Sequence, residues 1–295
     1  VFGAVVITTV GLISPSLAKD PFRTTNPRNI SDSTEEAFRA IFERGDYPAA
    51  SRALEEADPN EPLTYALKSS VAYLNIDQKA LKKSDPEALK NLGLMKENAT
   101  RTRELAEKLT AQDPLRGNLY TAIGHLLEGA TVYIQDQIAS IPQVLEKLKE
   151  VFKYMNAAEA VDPKDPELSL LKGSMDLILS TIIPFSNPDQ AVQQLSNYAA
   201  PRSLAFRSIA VAYRDLKQPD KALEAVDQAL AGTPDNPEVL YLKAQILTKQ
   251  ERHQDALTFF DQALAKKEQL PPSIVKSLTR ERDRAARRVS SASSK

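Results

Sequence analysis

The chain offers little for proton transfer or nucleophilic attack. Two histidines, His125 in YTAIGHLLEGA and His253 at a predicted helix start, are its only imidazoles, and there is no cysteine. A nucleophile–base pair or a catalytic metal needs several such groups within hydrogen-bonding or coordination distance of one another. Histidines 128 positions apart on separate helices build neither. His125 is therefore expected to be a packed or groove-lining imidazole, and His253 a solvent-facing turn residue. The acidic run Asp162-Pro163-Lys164-Asp165-Pro166-Glu167 lacks the alternating oxygen ligands and central glycine of a calcium loop, so it reads as a turn followed by a helix cap. No phosphate-cradling glycine loop, nucleophile elbow or HExxH pair is present. No catalytic residue, cofactor or metal is expected. An enzyme reading would require clustered polar residues with perturbed pKa values in a pocket of the less regular stretch 85–185.

Bulk charge narrows the partners. With 38 Lys and Arg against 39 Asp and Glu, the formal net charge of −1 provides no field for nucleic acid. The exception is local: residues 276–295 carry seven basic residues and two acids. Arg280, Arg284, Arg287 and Arg288 fall there as a solvated cap, or as a peripheral contact for an anionic surface such as lipid headgroups.

The elements that would carry these residues are helices. Apolar residues recur at helical spacing almost throughout, with no convincing two-residue alternation. Asp85-Pro86-Glu87, Asp165-Pro166-Glu167, Asn187-Pro188-Asp189 and Asn236-Pro237-Glu238 each join a capping side chain, a proline at the first helical position and an acid suited to the positive end of the helix dipole. Ser33 with Glu36 fits a capping box. Thirteen helices are predicted between residues 32 and 289, among them 61–82, 85–112, 114–140, 142–161 and 271–289. Leu145, Leu148, Phe152, Met155 and Ala158 are placed on one face of the helix 142–161.

Self-comparison supplies the sharpest signal. Residues 222–231, ALEAVDQALA, and 256–265, ALTFFDQALA, agree at seven of ten positions at an offset of 34. A 34-residue period of paired helices is the tetratricopeptide-repeat length, and the chain resembles that family. Phe206, Ile209, Ala210 and Tyr213, then Ala222, Val226, Ala229 and Pro234, match its first unit. Leu240, Ala244, Leu247, Ala256, Phe260 and Ala263 match the second, with Lys243 and Glu268 as departures. Residues 32–60 keep the spacing in Ala37, Ile41, Gly45, Tyr47, Ala50, Leu54 and Ala57. The resemblance implies an all-α superhelix, a TPR-like solenoid of about six helical pairs. Degenerate repeats would occupy 32–200, two clear units 201–270, a capping helix 271–289 and a disordered tail 290–295.

Such a superhelix lines its concave face with the first helix of each pair. The register places Arg207, Val211, Arg214, Tyr241, Gln245 and Thr248 in this partner-binding groove. The resemblance implies a protein or peptide partner, although the lysine and asparagines with which chaperone-tail-binding members clamp a terminal carboxylate are replaced by Arg207, Val211 and Leu242. At the other end, the apolar run 2–13 followed by Ser16-Leu17-Ala18 reads as a secretory signal over 1–18, cut between Ala18 and Lys19. The Pro- and Thr-rich stretch 19–31 is then expected to be a flexible leader. The overall layout is similar to exported TPR proteins of cyanobacteria. The expectation is an exported, non-catalytic binding scaffold in a periplasm or equivalent lumen. The alternative is a membrane-associated assembly factor held by its N-terminal segment or its basic C-terminal helix.

Overall fold

The computed structural model describes residues 20–182 and 187–293, so the expected signal and the cut between Ala18 and Lys19 lie outside the described residues. Proline and capping side chains start most helices where the sequence placed them. Asp85, Asp165 and Asn236 each accept hydrogen bonds from two backbone N–H groups of the turn that follows. The first helix is capped earlier than expected, by Ser31 rather than Ser33, with its Oγ accepting from Thr34 N at 3.2 Å.

The helices form six consecutive pairs and a cap. The pairs are α1 (Asp32–Arg39) with α2 (Tyr47–Glu55), α3 (Pro62–Leu74) with α5 (Pro86–Leu109), and α6 (Pro114–Asp136) with α7 (Ile141–Glu159). They continue with α8 (Pro166–Ile182) and α9 (Asp189–Tyr198), α10 (Arg202–Asp215) and α11 (Pro219–Gly232), and α12 (Pro237–Lys249) and α13 (His253–Leu264). The last helix, α14 (Pro272–Ser293), packs on α13 as the cap. A short α4 (Gln78–Leu81) follows α3, because Asp77 takes a new capping role and ends the expected 61–82 helix early. The helix expected over 114–140 stops at Asp136 and continues as a 3-10 turn, Gln137–Ser140. Among the described residues there is no strand, and no helix is long and apolar enough to cross a membrane.

Close helix packing follows from small residues. In the two clear units Ala210, Ala222, Val226, Ala229, Ala244, Ala256, Phe260 and Ala263 have no solvent exposure. Gly117 and Gly124, one helical stripe of α6, press on the backbone of α5: a Cβ at Gly117 would lie 2.4 Å from Thr110, and one at Gly124 would lie 2.5 Å from Arg103. The departure at Lys243 is accommodated by an ion pair with Asp227 (2.7 Å) and by the Phe259 ring beneath its ammonium.

Three expectations need correction. The stretch 20–31 is not a free leader: Phe22 and Ile30 are core residues, and Phe22 packs edge-on against Phe38 at 4.9 Å. Its composition marks irregular backbone, which Asp20 ties down by accepting from Phe22 N and Arg28 N. Residues 290–293 are the last turn of α14 and not a disordered tail; 294 and 295 lie outside the described residues. Leu145 and Phe152 point outward, because α7 is rotated so that Val151, Met155 and Ala158 face the core.

The superhelix also meets itself. Asn236, the cap of α12, donates from Nδ2 to Phe42 O (3.1 Å), and Ser273 at the start of α14 donates to Leu74 O (3.1 Å). The turn between the first two helices, with Gly45 at φ +64°, sits directly against Asn236 and Pro237. One continuous core therefore runs from Phe22 through the first pair to Ala285 of the cap.

Candidate functional sites: a closed charge junction and an open helix face

Polar side chains concentrate at several places, two of which bear on function. The first is buried where the N-termini of α3, α6 and α8 converge with residues 20–28. Arg116 of α6 clasps Glu61 through both terminal nitrogens (3.0 and 2.8 Å) and reaches Glu167 with Nε at 3.2 Å. Tyr120 donates to the other Glu167 oxygen at 2.6 Å. Arg23 joins Glu167, Asp20 and Asp165, while Arg28 joins Asp113 (2.6 Å) and Glu167.

Three guanidiniums thus face five carboxylates. The surplus negative charge is stabilised by the helices themselves. Glu61, Asp113 and Asp165 each accept from the first turn of α3, α6 or α8, so three positive dipole ends point inward. Burial alone would raise the Glu167 carboxyl, but the charges of Arg116 and Arg23 outweigh it and hold it below the usual carboxylate range. Burial opposes the charge on Arg116 as well, and Glu167 and Glu61 keep it protonated. Burial and the neighbouring Glu167 push the Tyr120 hydroxyl up.

This cluster has the perturbed groups that an enzyme reading of 85–185 requires, packed against one another in the interior. Glu167 is fully buried, Arg116 is 4% exposed, and each charged side chain is paired within the cluster. It lines neither of the clefts on the open face. It fastens residues 20–28 to three repeats.

His125 also lies in 85–185. Its ring stacks on Tyr154 with centroids 5.7 Å apart, and Nδ1 lies 3.6 Å from Glu128, which is itself held by Arg103 and Lys147. Burial lowers its pKa. His253 opens α13, far along the chain, and no group of three metal-ligating side chains occurs among the described residues. In the acidic run, Asp162 accepts from Lys164 N and Asp165 caps α8, as a turn and cap require.

The second place is the helix face expected as a groove. All six of its residues are half-buried and lie on α10 and α12. Arg214 donates to Gln245 (2.6 Å), Gln245 donates to Glu281 of α14 (2.9 Å), and the Tyr241 hydroxyl bonds to Glu281 as well. Burial and Glu281 raise the Tyr241 pKa. These contacts form a polar ladder across α10, α12 and α14. Val211 lines a small cleft of about 230 Å³ against α8. Thr248 donates back to Ala244 O.

The two ends of this face differ. At the N-terminal ends of α10 and α12, Arg207 is paired with Glu238 at 2.8 Å, and Glu238 also bonds the Tyr47 hydroxyl. That end is covered by the chain's own first pair. At the C-terminal ends, Thr248 opens into a cleft of about 970 Å³ between the α12–α13 turn and α14, lined by Lys249, Glu251, His253, Arg284, Arg287 and Arg288. Sequence reasoning found the arginines but not the wall opposite them. The 34-residue period would have placed α14 as the next first helix, beside the end of α12.

A comparison with protein families matches residues 208–271 to the tetratricopeptide repeat. Among solved structures, a thermophilic TPR protein of Thermus thermophilus is 20% identical over 86% of this chain and 97% of that one, with a TM-score of 0.30. No match is found among curated proteins. The family match runs from within α10 to the end of α13, where the 34-residue offset and the buried small residues coincide, and over those residues the chain is similar to the tetratricopeptide repeat.

Proposed function

We propose that this chain is an exported, non-catalytic scaffold that holds a protein or peptide partner on the first-helix face of its C-terminal repeats, at the end its own first pair leaves open. The tetratricopeptide repeat is generally a protein-interaction scaffold, and stacked repeats present long concave surfaces. The observation carrying the finer reading is the half-exposed row Arg214, Gln245 and Thr248, which runs from the ladder into the open cleft. Export rests on the apolar run 2–13 and the small residues ahead of Lys19.

The test is site-specific photo-crosslinking in cells. A crosslinker at Thr248 should give a partner adduct, and one at Glu224 on the exposed side of α11 should not. Equal adducts from both positions would refute face-specific binding. Intact mass of the native protein tests export: a soluble species beginning at Lys19 supports it. An uncleaved species retained in membranes through a high-salt wash would replace this reading with the anchored assembly factor.

A further inference from the structure

The cleft between the α12–α13 turn and α14 gathers four cations into one recess. Many arginines elsewhere are paired: Arg39 with Glu35 and Glu43, Arg103 with Glu107 and Glu128, Arg252 with Asp255. Arg282 on α14 itself is paired with Asp261. The residues of α14 that turn into the cleft, Arg284, Arg287 and Arg288, have no carboxylate partner among the described residues, and neither does Lys249 on the opposite wall. Glu251 is the one acid in the lining, so the cleft carries four fixed positive charges against one negative. His253 places the start of α13 at the same cleft, and that helix has no side-chain cap, leaving its positive dipole end available.

We infer that this cleft takes an acidic peptide segment of the bound partner, with Asp or Glu carboxylates paired to Arg284, Arg287 and Arg288. Guanidiniums pair with carboxylates through two parallel hydrogen bonds, which adds geometric selection to attraction. Shape favours a peptide over a membrane. Lys249 and the arginines stand on opposing walls of a recess of about 970 Å³, at the upper end of ligand-site volumes, which run to roughly 1,000 Å³. A flat bilayer would meet only the outermost charges. Continuity points the same way: Thr248 belongs both to the proposed binding face and to the cleft, so a chain lying along that face runs into the arginines. The inference rests on the scaffold reading above and specifies the chemistry of its partner.

The experiment uses the chain from Lys19 onward and a fluorescent peptide of alternating Asp and Glu, followed by anisotropy. An Asn/Gln peptide of the same length and vesicles rich in phosphatidylserine are run in parallel. The acidic peptide should bind, the neutral one should not, and salt near 1 M, where the Debye length is about 3 Å, should abolish binding. The combined variant R284E/R287E/R288E should weaken binding by about tenfold or more, while R280E, outside the cleft lining, should leave it unchanged. The thermal melt checks that the triple variant is folded, and charge neutralisation as R284Q/R287Q/R288Q gives a second, milder loss. Equal binding of both peptides, or a triple variant that binds as the parent does, would overturn the assignment. Vesicle binding without peptide binding would overturn it in favour of a lipid surface. If crosslinking at Thr248 persists in the triple variant at undiminished yield, the acidic-segment inference fails while the scaffold reading stands.

Discussion

Replacing Glu167 with glutamine tests whether the buried charge junction holds the first residues of the fold. Glutamine has nearly the same shape and its amide oxygen can still accept from Tyr120 (2.6 Å in the parent), so the variant removes charge and little else. Arg116 and Arg23 would each lose a carboxylate at 3.2 Å in a site where Glu167 is fully buried. Breaking a buried ion pair on one side costs about 3–5 kcal/mol. At about 2 °C per kcal/mol for a chain of this size, the melting temperature should fall by about 6–10 °C near neutral pH. The dependence on pH has a definite sign. The folded carboxyl is held below the ordinary glutamate value of about 4.3, so its contribution is complete above that value and is lost as pH falls through the folded pKa. The parent and E167Q melts should therefore converge on acidification below about pH 4. Trypsin adds a structural readout, because Arg23 is buried in the parent and should become cleavable in the variant. The double variant R116M/E167Q should lose less than the sum of the singles. A neutral-pH difference under about 2 °C, or one that persists undiminished into acid, would show that the junction is not the fastening inferred here.

Two further substitutions probe closure of the superhelix. Gly45→Ala puts a side chain at φ +64° with its Cβ 2.8 Å from Asn236 Oδ1 and 2.9 Å from Pro237. The left-handed conformation alone costs about 1–2 kcal/mol, so the urea midpoint should fall and small-angle scattering should show a larger radius of gyration. An unchanged radius and midpoint would mean that the first and last pairs are not held together there. Arg207→Ala, which the groove register alone would assign to partner binding, should instead lower thermal stability by freeing Glu238 and Tyr47, with little effect on crosslinking at Thr248. Lost crosslinking at full stability would restore Arg207 to the binding face.

What was legible in the sequence was local or periodic. The caps at Asp85, Asp165 and Asn236 needed only a side chain and the next turn. The small residues Ala210, Ala222, Ala244 and Ala256 were readable because the same spacing recurs 34 residues later. Contacts between distant segments left no such trace. Arg23 and Glu167 are 144 positions apart, and Asn236 and Phe42 are 194 apart. Arginines and carboxylates scattered through a sequence with 77 charged residues do not announce which of them will be buried together. The rotation of α7 was misjudged for a related reason. Leu145 and Phe152 are apolar, and the stripe that faces inward, Val151, Met155 and Ala158, is set by packing on Leu115, Leu119 and Ala122 of the neighbouring helix, which the sequence of α7 alone does not contain.

Closure changes what the repeat array can do. In an open superhelix every first helix offers its concave side, and a partner can lie along the whole row. Here the first pair occupies that row beside Arg207 and Glu238, and residues 20–28 seal it deeper by pairing Arg23 and Arg28 with Asp113, Asp165 and Glu167. The positive charges near the axis are thereby matched to carboxylates of the chain itself. Four cations without such a match, Lys249, Arg284, Arg287 and Arg288, stand together at the opposite end, where α12 and α14 run past the region covered by the first pair. A chain with net charge −1 keeps these four cations without a carboxylate partner in one recess, each carrying a desolvation cost that any incoming carboxylate must offset. Their exposure keeps that cost small, so attraction at the open end sets where a partner first lands, and the half-buried ladder beyond it sets how the partner is held.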